Sequence, residues 1–277
     1  MIYVVGIGSG RIGTITPEAL EVLRSCGAVV GYTKYVDMIR GLLPEKLFIT
    51  SGMTQEVSRC QKALSLAQNN SYDVALVSSG DSGVYGMAGL MLEIASGSGV
   101  EVRVIPGVTA ANLSASVLGA PLMNDYVTIS LSDLMTEWSV IEMRLEAACK
   151  GDFVICIYNP SSRKRQDKFK RACDILLRYK TPETPSGFVR NAGRDGEHGR
   201  IMTLSELRDC DEIDMSCTVI VGNSQSYILD GKMITARGYQ CIINPYTFYS
   251  EKNMAVLMES VRELDEGRGQ EHELLDD

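Results

Sequence analysis

Val74-Ala75-Leu76-Val77 runs without a break into Ser78-Ser79-Gly80-Asp81-Ser82-Gly83-Val84-Tyr85-Gly86-Met87-Ala88-Gly89. An apolar run of this length reads as a buried strand, and small residues with one carboxylate stand where that strand delivers its carboxyl end. Open α/β sheets bind ligands at that edge. Gly80, Gly83 and Gly86 let backbone approach a ligand closely, and Asp81 is an acceptor suited to a hydroxyl pair or a cationic centre. A glycine-rich turn that merely starts a helix is the plainer reading of the same residues, and the rest of the chain has to decide.

Upstream, Ile2 to Val5, Ala28 to Gly31 and Leu47 to Thr50 read as strands. Helical patterns follow them at Pro17 to Cys26, around Tyr35 to Leu43, and at Thr54 to Asn69. Downstream come a helix from Gly86 to Ala95 and a strand from Glu101 to Ile105. Strand and helix alternate, which predicts a mostly parallel sheet covered by helices. Thr16-Pro17-Glu18 supplies a cap, a first-turn proline and a first-turn acid. Pro106-Gly107-Val108-Thr109-Ala110-Ala111 opens a helix of Ala and Ser ending near Leu118, so this helix is expected to pack closely against something.

After Asn124-Asp125 the β-branched run Tyr126-Val127-Thr128-Ile129-Ser130 starts a second α/β lobe. Phe153 to Tyr158, Ser186 to Arg190, Gly199 to Thr203 and Thr218 to Gly222 are its further strands. Arg200 to Thr203 reads as one arm of a hairpin, so this sheet is expected to be mixed. Helices are expected at Lys164 to Tyr179 and Leu204 to Asp209. The expected division is an N-terminal lobe over 1–123, a C-terminal lobe over 124–240 and an extension over 241–277 with a frayed acidic tail. Two lobes imply a cleft between them.

The 277 residues carry a formal charge of −8, against the positive field a general nucleic-acid binder needs. The first residues lack the basic and long apolar segments of a signal peptide or membrane helix, so a cytoplasmic protein without a membrane partner is expected. The eight cysteines show no Cys-x-x-Cys pair, so no metal site is expected and the thiols read as reduced and mostly buried. Only His198 and His272 are available, which leaves little material for a Ser-His-Asp triad.

Gly8, Gly10 and Gly13 form a Gly-x-Gly-x-x-Gly after the first strand, which invites an NAD-dependent oxidoreductase. The second strand ends without an acid for the ribose, and the helix begins only at Pro17. A glycine-rich loop facing the cleft, with Ser9 near a substrate, fits better.

Tyr158-Asn159-Pro160-Ser161-Ser162-Arg163-Lys164-Arg165 places three cations where a helix dipole opposes them, and Arg190-Asn191-Ala192-Gly193-Arg194 repeats the theme at another strand end. Either these side chains extend into water, or two basic strand ends in an acidic chain hold a polycarboxylate or phosphate ligand. In Ser130-Leu131-Ser132-Asp133 the carboxylate is either a helix N-cap or a cleft group able to move protons. Gly222 to Ser226 and Thr235 to Tyr239 read as turns closing the second lobe.

These segments in this order resemble the S-adenosylmethionine-dependent methyltransferases that act on tetrapyrroles, a class that includes uroporphyrinogen methyltransferases and, more distantly, diphthine synthase. The resemblance runs from Met1 to about Tyr239. It is carried by Ser78 to Gly89, Pro106 to Ala110, Ile129 to Leu134, Tyr158 to Arg165 and Arg237-Gly238-Tyr239. Within the class it points to the branch that methylates C17 of a precorrin-3B or cobalt-factor III macrocycle with ring contraction, in cobalamin synthesis. Methylation at another corrin carbon is the alternative.

The resemblance implies a two-lobed α/β fold with S-adenosylmethionine folded in the interlobe cleft and S-adenosylhomocysteine as product. Ser79, Gly80, Asp81, Val84, Thr109, Ala110, Asn159, Ala192, Gly193, Thr235 and Ala236 would line the donor pocket. It also implies Asp133 as base or orienting acceptor, supported by Ser132 and Ser130. Ser9, Arg163, Lys164, Arg165 and Arg190 would contact a tetrapyrrole substrate, and a homodimer is expected.

Overall fold

The computed structural model describes residues 1–161, 166–238 and 251–268. It divides into the units Met1–Arg237 and Gly238–Asp277. In the second unit the described helix is Glu251–Asp265, which presents Val256, Met258 and Val261 on its surface. The expected fraying beyond 268 lies outside the described residues.

The first unit opens with strands β1 (Ile2–Gly6), β2 (Ala28–Tyr32), β3 (Leu47–Ser51), β4 (Val74–Ser78) and β5 (Val102–Ile105). They form one parallel sheet in the order β3-β2-β4-β1-β5. Every residue of β4 is buried, as the unbroken apolar run requires of a strand covered on both faces. Helices α1 (Pro17–Ser25) and α2 (Thr33–Arg40) pack on the face carrying Val5, Val29, Ala75 and Val77. Helices α3 (Glu56–Asn69) and α4 (Ala88–Ala95) pack on the other, against Val4, Val30, Val74 and Leu76. The chain therefore leaves the neighbouring strands β1 and β4 toward opposite faces. That is a topological switch point, and it opens a crevice beyond their carboxyl ends.

Helix α1 starts as its sequence demands: Pro17 is in the first turn and the Thr16 side chain accepts from Ala19 N at 3.2 Å. Gly89 lies exposed inside α4, and a Cβ there would meet nothing within 4 Å. Gly89→Ala is therefore expected to stabilise the protein by about 0.5–1 kcal/mol, read as a raised urea midpoint at unchanged m-value.

Helix α5 (Ala110–Leu118) leaves the first sheet and packs on the second, where Ala111, Ala115 and Leu118 meet Val154, Cys156, Val189 and Ile220. Its small residues permit this approach. Glycines on the facing strands do the same: a Cβ on Gly199 would lie 2.7 Å from Val117 Cγ1, and one on Gly187 3.1 Å from Leu118.

After the short strand β6 (Gly119–Ala120), the second sheet comprises β7 (Tyr126–Ser130), β8 (Val154–Tyr158), β9 (Pro185–Arg190), β10 (His198–Thr203) and β11 (Cys217–Val221). Its order is β10-β9-β11-β8-β7, parallel only between β7 and β8, so it is mixed as the hairpin reading implied. Helices α6 (Trp138–Lys150), α7 (Gln166–Leu177) and α8 (Leu204–Arg208) cover the face opposite α5.

Between the two segments read as closing turns lies a hairpin, β12 (Ser226–Leu229) and β13 (Lys232–Thr235), and β13 pairs in parallel with β6. Asp230 and Gly231 have φ of 48° and 71°, the left-handed pair that a two-residue hairpin turn needs.

Candidate active site

Three glycines bring the loops after β1, β4 and β5 into backbone contact. A Cβ on Gly6 would lie 2.7 Å from Gly107 N and 2.8 Å from Gly80 O, and one on Gly107 would lie 2.2 Å from Gly80 O. Gly8 and Gly80, with φ of 57° and 68°, exchange paired hydrogen bonds: Gly8 N to Gly80 O at 3.0 Å and Gly80 N to Gly8 O at 2.7 Å. L side chains rarely adopt this conformation, so glycine is required at both positions.

Asp81 fastens the crossing. Its Oδ1 accepts from Gly83 N at 2.8 Å and its Oδ2 from Gly107 N at 2.9 Å. One carboxylate thus ties the β4 loop to the β5 loop through two charge-assisted hydrogen bonds and keeps lone pairs for the cavity.

That cavity has a volume of about 200 Å³ and is lined by residues of both lobes. The first lobe contributes Ser9, Tyr35, Ser79, Gly80, Asp81 and Val84, and α5 contributes Thr109, Ala110 and Leu113. The second lobe adds Tyr158, Asn159, Asn191, Ala192, Arg194 and the run Met215 to Thr218. Of the residues expected around the donor, Ser79, Gly80, Asp81, Val84, Thr109, Ala110, Asn159 and Ala192 come together here. Ser9, expected beside the substrate, lines the same cavity.

Gly193, Thr235 and Ala236 lie outside the lining. Gly193 packs on Ser9, where an added Cβ would come within 2.8 Å of Ser9 Cβ. The buried Thr235 hydroxyl bonds Ser226 Oγ at 2.7 Å, and the Ala236 carbonyl accepts from Asn124 Nδ2 at 3.4 Å.

Asn159 and Asn191, with φ of 51° and 52°, end β8 and β9 in the left-handed region that Asn tolerates best among residues with side chains. Asn159 Nδ2 donates to Ser130 Oγ at 2.9 Å, and the same hydroxyl accepts from Ser132 N at 3.2 Å. Ser130 and Ser132 thus sit immediately behind the lining. Asp133 is not the cap of α6: that helix starts at Trp138 with Glu137 before it, and Asp133 is ion-paired with Lys168.

Arg190 is drawn away from the cavity by acids of its own lobe. Its Nε lies 3.3 Å from Asp214 Oδ2, and its Nη2 donates to the Glu212 carbonyl. Arg163, Lys164 and Arg165 lie outside the described residues.

Tyr158 and Tyr85 join the lobes, with ring centroids 5.1 Å apart. Tyr85 donates its hydroxyl to Thr128 O at 2.9 Å. The Tyr158 hydroxyl lies 2.6 Å from Thr109 Oγ1 and accepts from Ala111 N at 2.8 Å, so it caps α5, whose own N-cap Thr109 makes no side-chain cap. Burial raises the Tyr158 pKa, outweighing the two hydrogen bonds that lower it. Tyr158→Phe leaves the Ala111 amide without its acceptor and is expected to cost about 1–2 kcal/mol in urea unfolding.

Cys217 also lines the cavity, but burial pushes its thiol up to about 11, far from nucleophilic thiolate at neutral pH. Tyr85 and Arg194 stood in the quoted runs without a role of their own, and Tyr35, Leu113 and Met215 to Thr218 were not singled out from the sequence. The last of these had a usable signal: an antiparallel strand enters the sheet at the edge where its neighbours leave, so the start of β11 belongs beside the ends of β8 and β9.

Residues 1–208 match the family described as Tetrapyrrole (Corrin/Porphyrin) Methylases. The chain is 50% identical over 241 residues to a probable cobalt-factor III C(17)-methyltransferase of Salmonella typhimurium, covering 86% of this chain and 99% of that protein. A protein of the same description from Methanocaldococcus jannaschii is 44% identical over 247 residues, covering 86% and 98%. The crystal structure of the methyltransferase CobJ superimposes with a TM-score of 0.78 at 31% identity, covering 85% of this chain and 99% of that one. A uroporphyrin-III C-methyl transferase from Thermus thermophilus, complexed with S-adenosyl homocysteine, shares the fold with a TM-score of 0.64 at 22% identity, covering 80% and 91%. With the family match running through the first sheet and four of the five strands of the second, to α8, and near-full-length relatives alongside it, this chain belongs to the tetrapyrrole methylases.

Proposed function

We propose that this enzyme transfers the methyl group of S-adenosylmethionine to C17 of a cobalt-factor III or precorrin-3B macrocycle, with ring contraction, in cobalamin synthesis. The observation that carries the donor site is the convergence of eight expected residues, from the segments that follow β4, β5, β8 and β9, on one cavity at the switch point of the first sheet. The C17 assignment draws on the near-full-length identity to relatives so described.

The residues present fit such a donor. The Gly80 backbone opens the wall at a left-handed turn, and Val84, Ala110, Leu113 and Met215 offer apolar surface for a purine. Asp81, Thr109 and Asn159 offer polar partners for a ribose and an amino-acid end. When bound, S-adenosylmethionine supplies a methyl on a sulfonium, and its in-line displacement needs positioning and desolvation more than a strong base. Here Asp81 and the glycine crossing hold the loops in place, and the Tyr85–Tyr158 pair holds the second lobe over them.

Ring contraction also moves protons. Asp133, oriented by Lys168, is assigned as base or orienting acceptor, with Ser132 supporting it and Ser130 linking both to Asn159. Arg163, Lys164 and Arg165 are assigned to the substrate's peripheral carboxylates. Arg190, already tied to Asp214, is withdrawn from that set. The reading extends to a homodimer in the cytoplasm, with lobes at 1–123 and 124–240, an extension over 241–277, and no nucleic-acid or membrane partner. No described helix is long and apolar enough to cross a membrane.

The test is incubation with methyl-13C donor and cobalt-factor III, followed by NMR of the product. A single labelled methyl on C17 of a contracted ring is expected. Label at another carbon, or on an uncontracted ring, contradicts the proposal.

A further inference from the structure

Arg194 lines the cavity. It sits between β9 and β10 in the second lobe, yet both acceptors of its side chain belong to the first. Its Nε donates to the Ser9 carbonyl at 3.1 Å and its Nη2 to the Ser79 hydroxyl. These neutral oxygens fix the plane of the guanidinium without neutralising it. A guanidinium has five N–H donors and no acceptor, so three remain for a ligand.

The charge itself is unmatched. Nearby Arg11 pairs with Asp195, Arg190 with Asp214 and Arg200 with Glu212, whereas no carboxylate among the described residues is within ion-pairing distance of Arg194. Burial pulls its pKa below the ordinary arginine value, as expected for a cation partly removed from water without a counter-ion. Tyr35 lines the same cavity, and burial raises its pKa, so its hydroxyl stays a donor. A planar cation held from behind, beside a phenol donor, is the arrangement that takes a carboxylate in a forked pair.

We propose that Arg194, held by Ser9 and Ser79, is the carboxylate anchor of this cavity. The proposal rests on the methyltransferase reading, under which two ligands bring carboxylates there: the amino-acid end of the methyl donor and the acidic side chains of the macrocycle.

Calorimetric titration of the full chain and of Arg194→Gln with S-adenosylhomocysteine, and with its analogue lacking only the carboxylate, separates these sources when combined with the KM for cobalt-factor III. If the donor's carboxylate is held, wild type prefers S-adenosylhomocysteine over the decarboxylated analogue by roughly tenfold to a hundredfold. Arg194→Gln then abolishes that preference, and Arg194→Lys restores part of it. If the macrocycle's carboxylate is held, both adenosine ligands bind the variant as they bind wild type, and the KM for the macrocycle rises by a similar factor. Either result supports the anchor.

Equal weakening of both adenosine ligands, or no change in any of the three, overturns it while leaving methyl transfer standing. The wild-type preference is read without any variant, so a misfolded substitution does not blunt the test. Wild type that binds neither S-adenosylhomocysteine nor the macrocycle overturns the anchor and the methyltransferase reading together.

Discussion

Gly107→Ala is expected to lower stability by about 3 kcal/mol and to remove measurable S-adenosylhomocysteine binding. The added Cβ would stand 2.2 Å from Gly80 O and 2.7 Å from both C and O of Gly6. All of these are backbone atoms. Relief requires moving the end of β1 or the start of the β4 loop, both held by the parallel sheet and by the Gly8–Gly80 bridge. A side chain in such a contact could rotate away, whereas these loops can only separate, and their separation takes the cavity wall with it. Gly13→Ala is the control: it lies in the neighbouring glycine loop, and a Cβ there meets nothing within 4 Å. It should leave urea stability within about 0.5 kcal/mol and leave binding intact.

Asp81→Ala is expected to weaken S-adenosylhomocysteine by about a hundredfold and to destabilise the fold by roughly 2 kcal/mol. Both carboxylate oxygens accept a backbone N–H, one from its own loop and one from Gly107 across the crevice. Removing them leaves two amides to find water in a narrow crossing. Asp81→Asn keeps one acceptor but sets an NH2 group against an N–H, so it should fall between wild type and alanine in both measurements. Titration calorimetry with urea unfolding on the same samples separates the two effects. A full loss of binding at unchanged stability would mark Asp81 as a direct donor contact alone, and unchanged binding would remove it from the site.

The strand-end signal at Ser78 to Gly89 was legible because burial on both faces leaves an uninterrupted apolar run, and glycine then marks where backbone must come close. The order of strands and helices followed for the same reason, down to the hairpin arm at Arg200 to Thr203. The Ala- and Ser-rich α5 announced close packing, but its partner was the sheet of the other lobe, and composition carries no address.

The hairpin Ser226 to Thr235 was missed although Leu229-Asp230-Gly231-Lys232 is a strong turn signal. Its strands are short, and one pairs with only two residues, Gly119 and Ala120, each 114 positions from its partner, an arrangement no local pattern reveals.

At the site, residues on the first lobe's strand ends were readable, because a parallel sheet places all its carboxyl ends on one edge. The second lobe was harder. In a mixed sheet a strand can present its beginning to the same edge, which brings Met215 to Thr218 into the cavity. The charge pattern also misled: Arg190 and Arg194 look alike in sequence, but Asp214 takes the first and leaves the second facing the cavity. Which arginine is neutralised depends on an acid two dozen residues away, on the loop leading into β11.

A crystal structure with S-adenosylhomocysteine tests the donor site most directly. The ligand is expected against the edge formed by Gly80, Asp81 and Thr109, closed from the second lobe by Asn159 and Ala192. Ligand density in the glycine loop of Gly8, Gly10 and Gly13 with that edge vacant, or density elsewhere on the molecule, would contradict it.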